Sequence, residues 1–399
     1  MQTAFRLFLF LLLCSTAHAA PIDEQPIRIG VSGPFSGGSS PMGESMRNGI
    51  RLAVEEINSI GGVDGRKIEL LERDDQANPE VGARIAQEFI RKKVAATIGV
   101  VNTPVGLASV DVYQHAKVPL VIAVSTGTSL TRKFAPPAAP ENYIFRISPT
   151  LDLEAKVLAS DLKKKGIDKV AVLADVTAYG DAGLAALEEQ CQAEDIDISS
   201  VDRFLIGDND MNAQVHKAKA SGARALVAWG IGPELAAIAR SKDLIGWKVP
   251  MLGSWTFSMR NFIDLAGRSS EGALMPQTFI QDFGSTSKNS FLLAYRREFK
   301  TDRIPSPMSA AQGYDGMHLL YLALRQAGST EGPKIREALE NLKIRYQGAI
   351  TSYNKPFSRE DHDAVTQNML LMGVVSNGRV DYAYAEDQKK GALLRLKTQ

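Results

Sequence analysis

Hydroxyl groups cluster in two short polar segments that each follow an apolar run: VNTPVG (residues 101–106), which carries Asn102 and Thr103, and STGTS (residues 125–129), which carries Ser125 and Thr126. Beside Gly127, which permits close backbone approach, the hydroxyls of Thr103, Ser125 and Thr126 are equipped to hold a carboxylate without an arginine. Ser and Thr at such places more commonly cap the next helix, so the trio weighs more than any one member. Three later segments, DVTAYGD, WGIGPE and GSWTFS, bring Tyr179, Trp229 and Trp255, which are suited to an apolar or aromatic wall. For Trp229 a buried core role is the more common one.

Other chemistries find less support. AVSTG (residues 123–127) resembles a nucleophile elbow, but Ala123 stands at its first glycine position and no histidine is placed to serve Ser125, so a hydrolase is not expected. The glycine-rich loop at Gly33 lacks the Lys-Ser/Thr ending of a phosphate-binding loop. Asp208, Asp210 and Asn212 begin like a calcium loop, yet Ala213 holds the glycine position and Lys219 the terminal glutamate position, which leaves a helix start. His115, His216, His318 and His362 have no short ligand spacing, so neither a metal nor another cofactor is expected.

The candidate loops need a frame, and apolar periodicity supplies one. IRIGVSG reads as a strand. The helix after it presents Met46, Ile50, Ala53, Val54, Ile57 and Ile60 on one face and stops at Gly61 and Gly62. KIELLERDD reads as the next strand, and Asn78 with Pro79 opens a second helix that feeds the apolar run VAATIGVV. Strand and helix alternate to residue 125 as in a parallel doubly wound sheet. A Pro-rich stretch (residues 134–142) precedes a crossing near residues 146–149, after which KVAVLAD, DISSVDRFL, ARALVAWG and VPMLGSW form a second series with helices near 181–194, 211–221 and 233–245. From MPQTF the pattern turns mostly helical, and those helices are expected to cover the first lobe. In such sheets ligands sit beyond the carboxyl ends of the strands, where all the candidate loops fall.

The first residues, MQTAFRLFLFLLLCSTAHA, place Arg6 before a short apolar run and end on Ala17-His18-Ala19, the pattern of a signal peptide cleaved after residue 19. Leu13 before Cys14 disfavours lipid attachment. Removing 19 of 399 residues leaves 380, enough for two lobes. Lys+Arg 46 against Asp+Glu 45 implies no nucleic-acid partner. With Cys14 removed, Cys191 has no disulfide partner, so stability rests on core burial.

The segments IRIGVSGPFSG, MGESMRNGIRLAVEEINSIGGVDGRKIELLERDDQANPE, TIGVVNTPVGLASVDVYQHAKVPLVIAVSTGTSLT, FRISPT, AYGDAG and QGYDGMHLLYLAL together resemble the branched-chain amino acid type of periplasmic binding protein, which serves ATP-driven importers. The resemblance spans nearly the whole mature chain. It implies an α/β fold of the type I kind, two doubly wound parallel-sheet lobes joined by a three-segment hinge. The lobes are expected at 24–146 plus 278–353 and at 147–277 plus 354–385, with a tail at 386–399. It implies no catalytic residues, a periplasmic location, a monomer, and a permease of an ABC importer as partner. A ligand carboxylate would be held at Thr103 and the run Val124, Ser125, Thr126, with Tyr179 reaching across the closed cleft. Where leucine-type members place a tyrosine and a glutamate for the ligand ammonium, this chain has Ile231 and Trp255. Met42 stands where an aromatic residue often lines the ligand. An unpaired buried ammonium is costly, so the expected ligand is a small carboxylate, an aromatic or short-chain organic acid, packing on Trp255, Tyr179 and Met42. The alternative is an aliphatic amino acid whose ammonium meets Asp175 or a backbone carbonyl; a sensor for a separate membrane receptor is a further possibility.

Overall fold

The computed structural model describes residues 25–393 and 395–397, so the leader and Cys14 lie outside the described residues. The first half alternates as the periodicity requires: β1 (Ile27–Gly33), α1 (Ser40–Ser59), β2 (Ile68–Asp74), α2 (Pro79–Arg91), β3 (Ala96–Gly99), α3 (Thr103–Ala116), β4 (Leu120–Ile122), the short α4 (Ser129–Arg132) and β5 (Ile144–Arg146). The five strands form one parallel sheet in the order β2-β1-β3-β4-β5. Helix α1 buries Met46, Ile50, Ala53, Val54 and Ile57 against it and ends where Gly61 and Gly62 adopt φ of 103° and 70°, conformations glycine reaches without strain. Asn78 caps α2 by accepting the Val81 N–H at 3.0 Å.

The second series is α5 (Leu151–Lys164), β6 (Lys169–Asp175), α6 (Ala178–Ala193), β7 (Asp197–Phe204), α7 (Asn212–Ala220), β8 (Ala225–Trp229), α8 (Gly232–Leu244), β9 (Met251–Gly253), α9 (Arg260–Ala266) and β10 (Leu274–Gln277). Its sheet runs β14-β13-β10-β9-β8-β6-β7, with β13 (Leu371–Ser376) and β14 (Arg379–Tyr382) added antiparallel at one edge. The stretch from Met275, read from sequence as the start of a mostly helical region, therefore begins within a strand, Leu274–Gln277. Its pairing with β9 and β13 outweighs the weak local signal of a four-residue run containing proline. Asp210 accepts the Asn212 N–H at 2.9 Å as α7 begins, the behaviour of a helix start.

Helices α10 (Thr286–Phe299), α11 (Pro307–Ala327) and α12 (Gly332–Glu340) return to the first lobe with the hairpin β11 (Tyr346–Gln347) and β12 (Ser352–Tyr353). Helix α11 crosses α1 almost backbone to backbone. A Cβ on Gly49 would stand 2.0 Å from the Ala310 carbonyl oxygen, and one on Gly313 would stand 2.3 Å from that of Met46. Gly49→Val is thus expected to lower stability by roughly 1–3 kcal/mol or more, because neither helix backbone has room to yield; urea unfolding checks it.

The chain crosses between lobes after β5, after β10 and before β13. The last crossing comes later than residue 354: Phe357 and His362 pack on the Phe145 ring, and Ala364 sits in the first lobe's core. The expected tail also begins inside α13 (Ala385–Gly391), which packs beside β13. Beyond it, Arg395 donates to the carbonyls of Met369 and Thr278, and Lys397 donates to that of Asp363 at 2.6 Å, so the terminus ties down two of the three crossings.

Candidate functional site

A cavity of about 120 Å³ lies between the carboxyl edges of the two sheets. Four helices begin at its wall: α1 with Ser39 as N-cap, α3 with Asn102, α6 with Thr177 and α8 with Ile231. Of these caps only Thr177 spends its side chain on a helix N–H, accepting that of Tyr179. The aligned dipole of α3 favours a negative charge in the space between, whereas the Ser40 and Met42 N–H groups at the start of α1 are spent on the Gly37 and Ser39 carbonyls and α8 carries Glu234 in its first turn. No Asp, Glu, Lys or Arg is among the residues lining it.

The first-lobe wall is built by sharp turns after β3 and β4. Val100 adopts φ of 61°, a strained conformation for a β-branched residue, with its N–H held by the Ser32 carbonyl at 2.9 Å. That turn presents Asn102 and Thr103 to the cavity, and Asn102 donates to the Ser39 hydroxyl at 3.1 Å, tying the starts of α1 and α3 together. After β4, Val124 and Thr126 line the cavity, while Gly127 passes so near Thr103 that a Cβ would stand 2.6 Å from its methyl group. Ser125 does not reach the lining. It is buried behind Thr103, sharing a hydrogen bond with that hydroxyl at 3.1 Å, and its N–H is spent on the Val100 carbonyl. The expectation of a direct Ser125 contact is therefore corrected: in extended chain, side chains alternate, and facing Val124 and Thr126 inward turns Ser125 away.

From the second lobe come Tyr179, Ile231 and Trp255, with Met42 facing them from α1. Trp229 is fully buried in the core and lies outside the lining. Asp175 is also behind the wall, its Oδ1 accepting the Thr177 N–H at 2.8 Å and hydroxyl at 2.6 Å, so it offers an ammonium no direct contact. The lobes meet over the cavity: Asn261 on α9 donates to the Gly38 carbonyl at 3.1 Å.

Sequence reasoning missed Ala77 and Ile206, which line the cavity from the loops after β2 and β7. Both follow strands whose carboxyl ends point the same way as the chosen loops, which was the available signal. It also missed Glu154, which is fully buried on α5. Its Oε2 accepts the Trp255 N–H at 3.3 Å. Burial pushes its carboxyl up to about 8, with the Trp255 N–H and Thr126 hydroxyl acting in the opposite direction. Burial, with Glu154 nearby, likewise holds the Tyr179 hydroxyl well above its ordinary range. An acid on the same face as the apolar stripe Leu151, Ala155, Leu158, Leu162, a face it shares with Asp161, was the clue in the sequence. Among the described residues no His, Cys, Asp and Glu cluster suits a metal ion, and no helix is long and apolar enough to cross a membrane.

Residues 26–379 match the family described as periplasmic binding protein. A leucine-, isoleucine-, valine-, threonine-, and alanine-binding protein of Pseudomonas aeruginosa is 25% identical over 341 residues, 85% of this chain and 88% of the relative. A type 1 periplasmic binding protein from Bordetella pertussis superposes with a TM-score of 0.81 at 27% identity, covering 90% of this chain and all of that one. A solute-binding protein of an ABC transporter from Rhodopseudomonas palustris, solved with 3,4-dihydroxybenzoic acid, shares the fold with a TM-score of 0.76 at 23% identity, over 90% of this chain and 95% of that one. With two doubly wound lobes enclosing a small hydroxyl-lined cavity, and a family match over most of its length, the chain belongs to the periplasmic binding proteins.

Proposed function

We infer that this protein captures a small carboxylate, an aromatic or short-chain organic acid, in the interlobe cleft outside the cytoplasm, and presents it as a monomer to the permease of an ABC-type importer. One observation carries the ligand class: helix N-termini converge on a cavity whose lining contains no acid. Such a site welcomes an anion and offers a ligand ammonium no counter-charge. Thr103, Thr126 and Asn102 are the polar contacts, and Met42, Ile231 and Trp255 pack on the hydrocarbon body. The size agrees with one ring or a short chain, since a cavity of about 150 Å³ accommodates benzene.

An aliphatic amino acid is the second reading, favoured by the amino acids for which the Pseudomonas aeruginosa relative is named. Titration calorimetry with benzoate, butyrate and leucine separates the two. Binding of an acid with no response to leucine is expected; tight leucine binding with silence from the acids overturns the carboxylate reading. Trp255→Ala is expected to weaken acid binding at least tenfold, about 1.4 kcal/mol, and unchanged affinity would remove Trp255 from the site.

A further inference from the structure

Glu154 is an expensive feature with no evident structural return. It is fully buried, its Oε1 has no hydrogen-bond partner among the described residues, and no cation is among the groups that shift its ionisation. Buried polar atoms are nearly always satisfied, so an orphan beside a ligand cavity points to a role there. Its neighbours narrow that role. The Thr126 hydroxyl, from the other lobe, stands close enough to influence the carboxyl, has no formed hydrogen bond among the described residues, and lines the cavity. Trp255 donates its backbone N–H to Oε2.

A threonine hydroxyl has one proton and two lone pairs, so whatever it does toward Glu154 fixes what it shows the ligand. Resting on the carboxylate reading above, we propose that Glu154 is a positioning residue that sets the polarity of Thr126. As a neutral acid it donates to Thr126 Oγ1 and leaves the Thr126 O–H free to donate to a ligand carboxylate. Once ionised it takes the Thr126 proton as a hydrogen bond for itself and leaves an oxygen lone pair facing the ligand. The neutral state selects acids, and the ionised state repels them.

The surroundings keep the assignment simple. Facing Glu154 from α6 is Tyr179, which burial holds protonated across the range of interest, with Asp175 behind it at the end of β6. On α5 itself, Asp152 is engaged by the Thr128 hydroxyl at 2.9 Å and by Arg132 at 3.1 Å. Burial holds Glu154 neutral up to about pH 8. Acid affinity should therefore be level below that point and fall about tenfold per pH unit above it.

Calorimetry from pH 6 to 9.5, with the tighter-binding of benzoate and butyrate as probe, tests this in the full protein. Wild type is expected to lose roughly 30-fold in affinity between pH 7 and 9.5. Glu154→Gln, whose amide is a permanent donor, should bind with no such slope, and Thr126→Val should bind weakly and without a slope. A flat wild-type profile, or a Gln variant that keeps the wild-type slope, overturns the proposal while leaving acid binding intact. Binding of leucine and of neither acid removes the carboxylate reading and the proposal together.

Discussion

Replacing Asp363 with alanine is expected to lower the unfolding free energy by about 3–5 kcal/mol, because it strands a buried guanidinium at the hinge. The Arg146 side chain is 0% exposed, and its pairing with Asp363 at 2.7 Å joins the first crossing between the lobes to the third. Arg146 also donates to the Gly127 carbonyl at 2.6 Å and the Thr131 hydroxyl at 2.8 Å. Losing its counter-charge therefore disturbs the turn that aims Thr126, and weaker ligand binding should accompany the loss of stability. Substituting both partners, as in Arg146→Met with Asp363→Leu, should recover part of the stability, since it leaves no unpaired buried charge, and only part because the Gly127 carbonyl and Thr131 hydroxyl lose their partner. Urea unfolding of wild type and the two variants checks the order; a single mutant as stable as wild type would remove the pair from the hinge's supports.

Glu154→Gln should stabilise the protein increasingly as pH rises. The folded carboxyl is pushed up to about 8, whereas in an unfolded chain it titrates near 4.5. The folded state thus holds a proton that the unfolded state releases, and wild-type stability falls between those values. The stabilising contribution is fully present below about pH 4.5 and gone above about pH 8, a span on the order of 5 kcal/mol. Glutamine does not titrate, so the variant's advantage should be small at pH 4.5 and largest at pH 8.5. Equal pH dependence in the two proteins would mean that Glu154 is not buried as an unpaired acid in solution.

Much of the architecture was legible because it is written in local periodicity. The stripe from Met46 to Ile57, the Asn78-Pro79 helix start and the Gly61-Gly62 stop each act within a turn or two of chain. The loops that meet at the cavity were legible for a topological reason: a parallel strand can present its following loop at only one edge. What stayed hidden depends on partners far away in sequence. Strand β10 is four residues long and exists through its neighbours β9 and β13. The inward or outward parity of Val124, Ser125 and Thr126 turns on the sheet register, which composition does not encode. Glu154 looked like an ordinary first-turn acid on α5 until Trp255, 101 residues later, closed over it.

The glycine contact between α1 and α11 carries a consequence for how the chain matures. Residues 49 and 313 must meet before the first sheet is covered, and the second sheet waits for strands at 371–382. Neither lobe can finish while the ribosome is still making the final third, so the nascent polypeptide stays loose until it is nearly complete. A translocation channel that accepts only unfolded substrates would find this chain threadable for the whole of its synthesis.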